Sequence, residues 1–123
     1  MLALNKKIVV VDDNAAILDA LKIMLEEEGY LVETAHDGAV VTVQSLSGPL
    51  PDLYLLDIWM AGMDGREICK FLKGSEVSKH IPVIMVSATK DVERISKDAG
   101  ADAYISKPFQ MDEMLALVAK YVN

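Results

Sequence analysis

Five short runs along the chain read as strands, and four of them end on a residue able to do chemistry. Ile8-Val9-Val10-Val11 ends in Asp12-Asp13, and Leu53-Tyr54-Leu55-Leu56 ends in Asp57. Val83-Ile84-Met85-Val86 ends in Ser87, and Ala103-Tyr104-Ile105-Ser106 ends in Lys107-Pro108. These four are short, mostly β-branched or aliphatic, and apolar enough to be strands covered on both faces. The fifth strand is Leu31-Val32-Glu33-Thr34-Ala35.

Between the strands the spacing of apolar residues changes from two to that of a helix. The first helix is expected from about Asn14 to Glu28, with Ile17, Leu18, Leu21, Met24 and Leu25 on one stripe. A second follows from about Gly38 to Leu46, with Asp37 as its N-cap. A third follows Asp64, where Glu67 three residues on reads as a capping box. A fourth covers Lys90 to Ala99, and a fifth covers Met111 to Val122. Gly29, Gly48, Gly74 and Gly100 fall just past helices, where a left-handed residue is wanted.

Strand and helix thus alternate five times. That order demands a parallel sheet with right-handed crossovers and helices on both faces, a three-layer α/β/α fold. In such a sheet ligands bind at the carboxyl edge of the strands. Asp12, Asp13, Asp57, Ser87 and Lys107 should therefore converge on one pocket. Three acids, a hydroxyl and a cation suit a divalent metal beside a phosphoryl group.

Composition narrows the reading. The 123 residues imply a single domain, 1–123, large enough for a core without staples. Nineteen acids against 12 bases give a net charge of −7, which disfavours binding to nucleic acid or to an anionic membrane. The single cysteine, Cys69, rules out an internal disulfide and reads as a small buried hydrophobe. No apolar stretch reaches the ~20 residues of a membrane span. Met1-Leu2-Ala3-Leu4 before Lys6-Lys7 lacks the core of a signal peptide, so a cytoplasmic protein is expected.

Each acid also has a plainer reading. Asp12-Asp13 could simply cap the first helix, but one acid would suffice. Without a cation, Asp12, Asp13 and Asp57 would repel one another in a crevice. Mg²⁺ is a hard ion held by a few carboxylates plus water and phosphate oxygens, and this set suits it. Asp57 alone could cap a turn, and Lys107 alone could be a surface lysine. Together they permit a carboxylate nucleophile that forms an acyl phosphate. Lys107 neutralises it as a point cation, and Ser87 donates a hydrogen bond.

At these residues the chain resembles the response-regulator receiver family of two-component signalling. The matching pieces are Asp12-Asp13, Asp57-Ile58-Trp59-Met60 with Met63-Asp64-Gly65, Val86-Ser87-Ala88, Tyr104 and Lys107-Pro108-Phe109. They span essentially the whole chain, in order and at family-like spacings. The resemblance implies a flavodoxin-like (βα)5 fold with strand order 2-1-3-4-5. It implies Asp57 as phosphoacceptor, and Asp12, Asp13, Asp57 and the Trp59 carbonyl as Mg²⁺ ligands. Ser87 and Lys107 would contact the phosphoryl group, and a cis Lys107-Pro108 bond would aim the lysine inward. The implied partners are a histidine kinase or phosphotransfer protein as donor and an effector protein or domain as output.

The chain departs from the family in places. Ala61 stands where many members have proline, and Ser87 where many have threonine. Trp59 and Thr89 flank the pocket at positions that vary in the family and tune phosphate lifetime. A bulky Trp59 could shield the acyl phosphate from water, or could equally point outward or fill a partner interface. His36 and His80 read as surface residues, Met60 and Met63 as loop packing, and Glu26-Glu27-Glu28 as a solvated helix end.

The leading function is a phosphorylation-driven switch that catalyses its own phosphoryl uptake and slow hydrolysis. An aspartyl phosphatase resembling haloacid-dehalogenase enzymes would need a second Asp at the place of Trp59. A flavodoxin-type electron carrier would need a hydroxyl- and Gly-rich loop where Asp12-Asp13 stand. A pseudo-receiver that only docks partners would not need all five polar residues. For transmission, Ser87 moving toward the phosphate would open space that Tyr104 could fill. The fourth helix, last strand and fifth helix would then change. Leu117 and Tyr121 widen the apolar stripe of the fifth helix, available to a partner or to a phosphorylation-dependent homodimer.

Overall fold

In the computed structural model, residues 6–60 and 62–122 are described. Ala61 and the Met1-Leu2-Ala3-Leu4 segment lie outside the described residues. The elements are β1 (Lys7–Val11), α1 (Ala15–Glu27), β2 (Leu31–Ala35), α2 (Gly38–Ser47), β3 (Leu53–Asp57), β4 (Trp59–Met60) and β5 (Met63–Asp64). They continue with α3 (Gly65–Gly74), β6 (Val83–Ser87), α4 (Val92–Ala99), β7 (Ala103–Ser106) and α5 (Met111–Val122). β2-β1-β3-β6-β7 form one parallel sheet. Counting only these five strands, that is the order 2-1-3-4-5 of the flavodoxin-like fold.

Period-two alternation splits the apolar strand residues between two cores. Val9, Val11, Tyr54, Leu56, Val83 and Met85 face α2, α3 and α4, meeting Val41, Ile68, Leu72 and Ile95. Ile8, Val10, Leu53, Leu55, Ile84 and Val86 face α1 and α5, meeting Leu21, Leu25, Met114 and Val118. β3 and β6 are buried along their whole length, as a strand covered on both faces requires. The edge strand β7 departs from that expectation: Tyr104 and Ser106 are exposed and only Ile105 is buried.

The helix ends follow local chemistry. Asn14 caps α1 by accepting from the Ile17 N–H, and Asp37 caps α2 by accepting from the Ala39 N–H. The capping box expected at α3 forms differently. The Asp64 carboxylate accepts from the Arg66 N–H at 2.9 Å, while exposed Glu67 lies opposite Lys70. α4 begins at Val92, two residues later than expected, with Asp91 at the N-cap position but making no side-chain capping bond.

Two of the four glycine assignments change. Gly29 and Gly100 take positive φ at helix ends. Gly48 is extended, and Gly74 is the last residue of α3. Met60 and Met63 pair across a two-strand hairpin, β4–β5, turned by Gly62 at φ +74°. Gly65 is needed for close approach: a Cβ there would collide with the Asp57 carbonyl oxygen. The glycine thus lets α3 start directly against the end of β3. The wider stripe of α5 is absorbed by the fold. Leu117 and Tyr121 pack on the α1–α5 core, and the Tyr121 hydroxyl donates to the Asp102 carbonyl at 3.1 Å.

Candidate functional site

The carboxyl edge of the sheet brings the expected side chains together. Asp12 follows β1, Asp57 closes β3, Ser87 closes β6, and Lys107 follows β7. Asp12, Asp57 and Ser87 are buried, while Asp13 is exposed. Asp12, Asp13 and Asp57 each offer a carboxylate oxygen within 4.8 Å of the others. Such a close set of hard oxygen donors fits a divalent cation of the Mg²⁺ type.

Lys107 reaches into this cluster. Its Nζ donates to Asp12 Oδ2 at 2.9 Å and lies 3.6 Å from Asp57 Oδ1. The Lys107-Pro108 bond is cis, and the Lys107 N–H donates to the Ser87 carbonyl at 2.9 Å. That bond ties the β7–α5 turn to the end of β6. The Ser87 hydroxyl accepts from the Thr89 N–H at 3.2 Å. Asp12 also accepts from the Asn14 N–H at 2.9 Å, so one oxygen shapes the entry to α1 and the other meets Lys107. The plainer reading of Asp12 as the α1 cap is not what forms, because Asn14 is the cap.

Burial pushes the Asp57 carboxyl up to about 6, and the Asp12 carboxylate adds to the rise. Lys107 pulls the other way, Asp13 raises it again, and a hydrogen bond from the Trp59 backbone N–H lowers it. Asp57 is therefore a carboxylate held in an environment that resists its charge. An incoming cation relieves that resistance, and so does bonding of the oxygen to an electrophile.

Trp59 lies on the solvent side. Its side chain is half exposed, and Arg66 stacks on its ring. Tyr104 is exposed on β7, beside Met85 of β6. Arg66 escaped the sequence reading. An arginine two residues after a capping Asp carries no periodic signal, and only the hairpin shows what it touches. His36 and His80 are exposed, as expected. Cys69 is fully buried, and burial pushes its thiol up to about 11. Among the described residues no helix is long and apolar enough to cross a membrane.

Residues 8–119 match the family model of the response regulator receiver domain. The response regulator MprA of Mycobacterium tuberculosis strain H37Ra is 39% identical over 115 residues, covering 92% of this chain and 49% of that protein. The chain thus spans about half the length of the curated relatives it matches. A CheY-like response regulator receiver domain protein from Methanospirillum hungatei JF-1 superposes with a TM-score of 0.85 at 34% identity, covering 96% of this chain and 94% of that one. The receiver domain of a Pseudomonas aeruginosa PAO1 sensor histidine kinase has a TM-score of 0.87 at 22% identity, covering 96% and 98%. In that structure a magnesium ion is coordinated in the active-site cleft. With the family model matched over nearly all of its length, the chain belongs to the response regulator receiver domain family.

Proposed function

We propose that Asp57 is the phosphoryl acceptor of this receiver domain. Receiver domains of this family serve phosphorylation-dependent signalling, and the residue-level reading rests on one observation. Asp57 sits within reach of Lys107 and inside a cluster of three acids. Asp12, Asp13 and Asp57, with the Trp59 carbonyl, would hold Mg²⁺, as the coordinated ion in the Pseudomonas receiver domain suggests. When bound, the ion supplies positive charge to the phosphoryl oxygens.

The chain's own groups do the rest. An Asp57 oxygen attacks phosphorus in line, the bond from phosphorus to the donor nitrogen breaks, and the electron pair stays with the donor imidazole. The Lys107 ammonium and the Ser87 hydroxyl donate to the phosphoryl oxygens as negative charge gathers there. A histidine kinase or phosphotransfer protein fits as donor. An apolar groove of about 580 Å³, walled by Ile17, Leu21, Met24, Pro108 and Phe109, opens beside Lys107 and suits a helix of that donor.

Output follows from the two-state logic of a switch. Ser87 turns from accepting the Thr89 N–H to donating to phosphate. Tyr104 leaves its exposed position for the space behind β6. The surface of α4, β7 and α5 changes and meets an effector or a second copy of the chain. The test is incubation with Mg²⁺ and acetyl phosphate, followed by intact-mass measurement. One base-labile phosphoryl group is expected on the parent and none on Asp57→Asn. Equal labelling of Asp57→Asn would refute the assignment.

A further inference from the structure

The sheet accounts for one side of α2 and leaves the rest of that helix without a partner. Val41 and Ser45 turn inward and are buried. The helix holds no charged residue, whereas the other four helices each hold three or four. A helix without a polar face belongs inside a protein. Yet Leu46 is 62% exposed and Val40 45%. Beside Leu46 a groove of about 300 Å³ runs between α2 and α3, lined by Thr42, Leu46, Met63, Glu67, Ile68 and Phe71. Phe71 is itself 39% exposed. The Thr42 hydroxyl donates to the Ala39 carbonyl at 2.9 Å, so Glu67 supplies the one charged group at the groove. An apolar groove flanked by exposed leucine and phenylalanine marks a surface that another molecule covers.

The charge pattern says which molecule fits. With 19 acids against 12 bases, two copies of the chain repel one another over most of their surface. α2 is exempt from that repulsion, and the outward side of α3 adds one acid and one base. Glu67 and Lys70 are 70% and 55% exposed, one turn apart, with 3.9 Å between their charged atoms. An acid and a base in that arrangement complement their own pattern reversed. A two-fold axis that sets α3 antiparallel to its copy places Glu67 of each chain opposite Lys70 of the other. A strongly basic partner would gain from Glu67 and lose to Lys70. Exposed pairs of this kind add little affinity, so they fix the register while Leu46 and Phe71 supply the binding. We propose that the α2–α3 face is the contact between two copies of this chain, in a two-fold dimer that forms without phosphorylation. α2 and α3 lie across the sheet from α1 and α5, so the pairing leaves the groove beside Lys107 open. The face is also separate from the α4, β7 and α5 surface, and the inference does not depend on Asp57 as acceptor.

The experiment is sedimentation equilibrium of the full, unphosphorylated chain over a range of concentrations. The average mass of the parent should rise from that of one chain toward that of two. Leu46→Glu and Phe71→Glu should hold it at one chain, with circular dichroism unchanged because both side chains are exposed. Ile23→Glu, at a 60% exposed position on α1, controls for added charge and should associate as the parent does. Glu67→Lys and Lys70→Glu each set like charges against one another. Each should raise the dissociation constant about three- to tenfold, since two exposed pairs are lost together. An equimolar mixture of these two variants should associate more tightly than either alone, because each then meets the opposite charge on the other. A parent that keeps the mass of one chain at every concentration overturns the proposal and leaves the face to a different protein. Association that persists in Leu46→Glu and Phe71→Glu, or that Ile23→Glu abolishes equally, overturns it too. So does a mixture no tighter than its components, since a two-fold contact brings Glu67 against Lys70. None of these results bears on Asp57, which the labelling experiment tests separately.

Discussion

The two edges of one sheet both carry aspartates, and they are used in opposite ways. At the amino edge, Asp52 and Asp102 each precede a strand. Asp52 accepts from the Lys7 N–H at 2.8 Å. Asp102 accepts from the Val83 N–H at 2.8 Å and from Lys73 Nζ at 2.9 Å, and Lys73 also donates to the Ile81 carbonyl. These acids close the open ends of neighbouring strands, and their charge is met by amides or by a cation of their own. At the carboxyl edge, Asp12, Asp13 and Asp57 crowd within 4.8 Å of one another, and Lys107 reaches Asp12 and Asp57. At one edge the acids stand apart, and at the other three of them stand together, where Asp57 is held against its charge. Crowding of carboxylates that raises the cost of charge on Asp57 is what a site for a cation and a phosphoryl group requires.

Substitutions at the two edges should therefore trade function against stability in opposite directions. The largest effect is expected from Asp13→Ala. Labelling by acetyl phosphate should fall by at least about a hundredfold, since a lost ligand costs more than a lost partner of a ligand. The fold should survive with equal or higher melting temperature. The Trp59 fluorescence change on Mg²⁺ titration should weaken in parallel, and an unaltered titration with unaltered labelling would erase the distinction between the edges.

Asp102→Ala should do the reverse. It orphans the buried Val83 N–H and leaves Lys73 with only the Ile81 carbonyl, costing about 1–3 kcal/mol in urea unfolding. Its labelling rate should match the parent. If this variant unfolds no more easily than the parent, the amino edge is not the brace that its hydrogen bonds describe.

Asp57→Asn tests the strain at the carboxyl edge without metal. The folded carboxyl titrates at about 6, above its unfolded value, so the neutral acid is the form the fold prefers. The favourable contribution of Asp57 is thus full below about pH 4 and is lost as pH rises through about 6. Asn should therefore stabilise the protein above pH 6, by about 1 kcal/mol after allowing for Lys107 and solvent screening. The gain should vanish below about pH 4. Thermal melts across this range decide it, and a gain that is the same at all pH would point to packing rather than charge.

The smallest effect is expected from Ser87→Ala. The variant should accept phosphate to the same extent but transmit less of it. NMR shifts on adding beryllofluoride should persist around Asp57 and shrink at α4, Tyr104 and α5. Full-sized shifts there would remove the hydroxyl from the route. β7 is an exposed edge strand, and Ser96 on α4 is the one buried side chain whose hydroxyl has no hydrogen-bond partner among the described residues. An unpaired buried hydroxyl lowers the cost of leaving the present packing.

Much of this was legible in the chain itself. Period-two runs bounded by helical stripes leave only a parallel sheet with helices on both faces, because each apolar run needs cover on both sides. The same order puts Asp12, Asp57, Ser87 and Lys107 at one edge, since strand ends in a parallel sheet share a direction. Those are consequences of chain geometry, so no side-chain detail was needed to reach them. What the sequence left open depended on contacts between distant residues. Asp102 and Asp57 are both acids beside an apolar run, and only the fold sets Asp102 apart with Lys73 and puts Asp57 beside Asp12 and Asp13. Gly65 looks like any glycine at a helix start until the Asp57 carbonyl is seen pressed against it. Leu117 and Tyr121 look like spare apolar surface until α5 is laid on the sheet, where they are half-buried. Arg66 met Trp59 only through the hairpin, whose two-residue strands are too short to show a period. The chain determined by itself which residues stand together, because direction and period are local properties. Tertiary structure decided which of them are satisfied, because hydrogen bonds and charge balance depend on partners far along the chain.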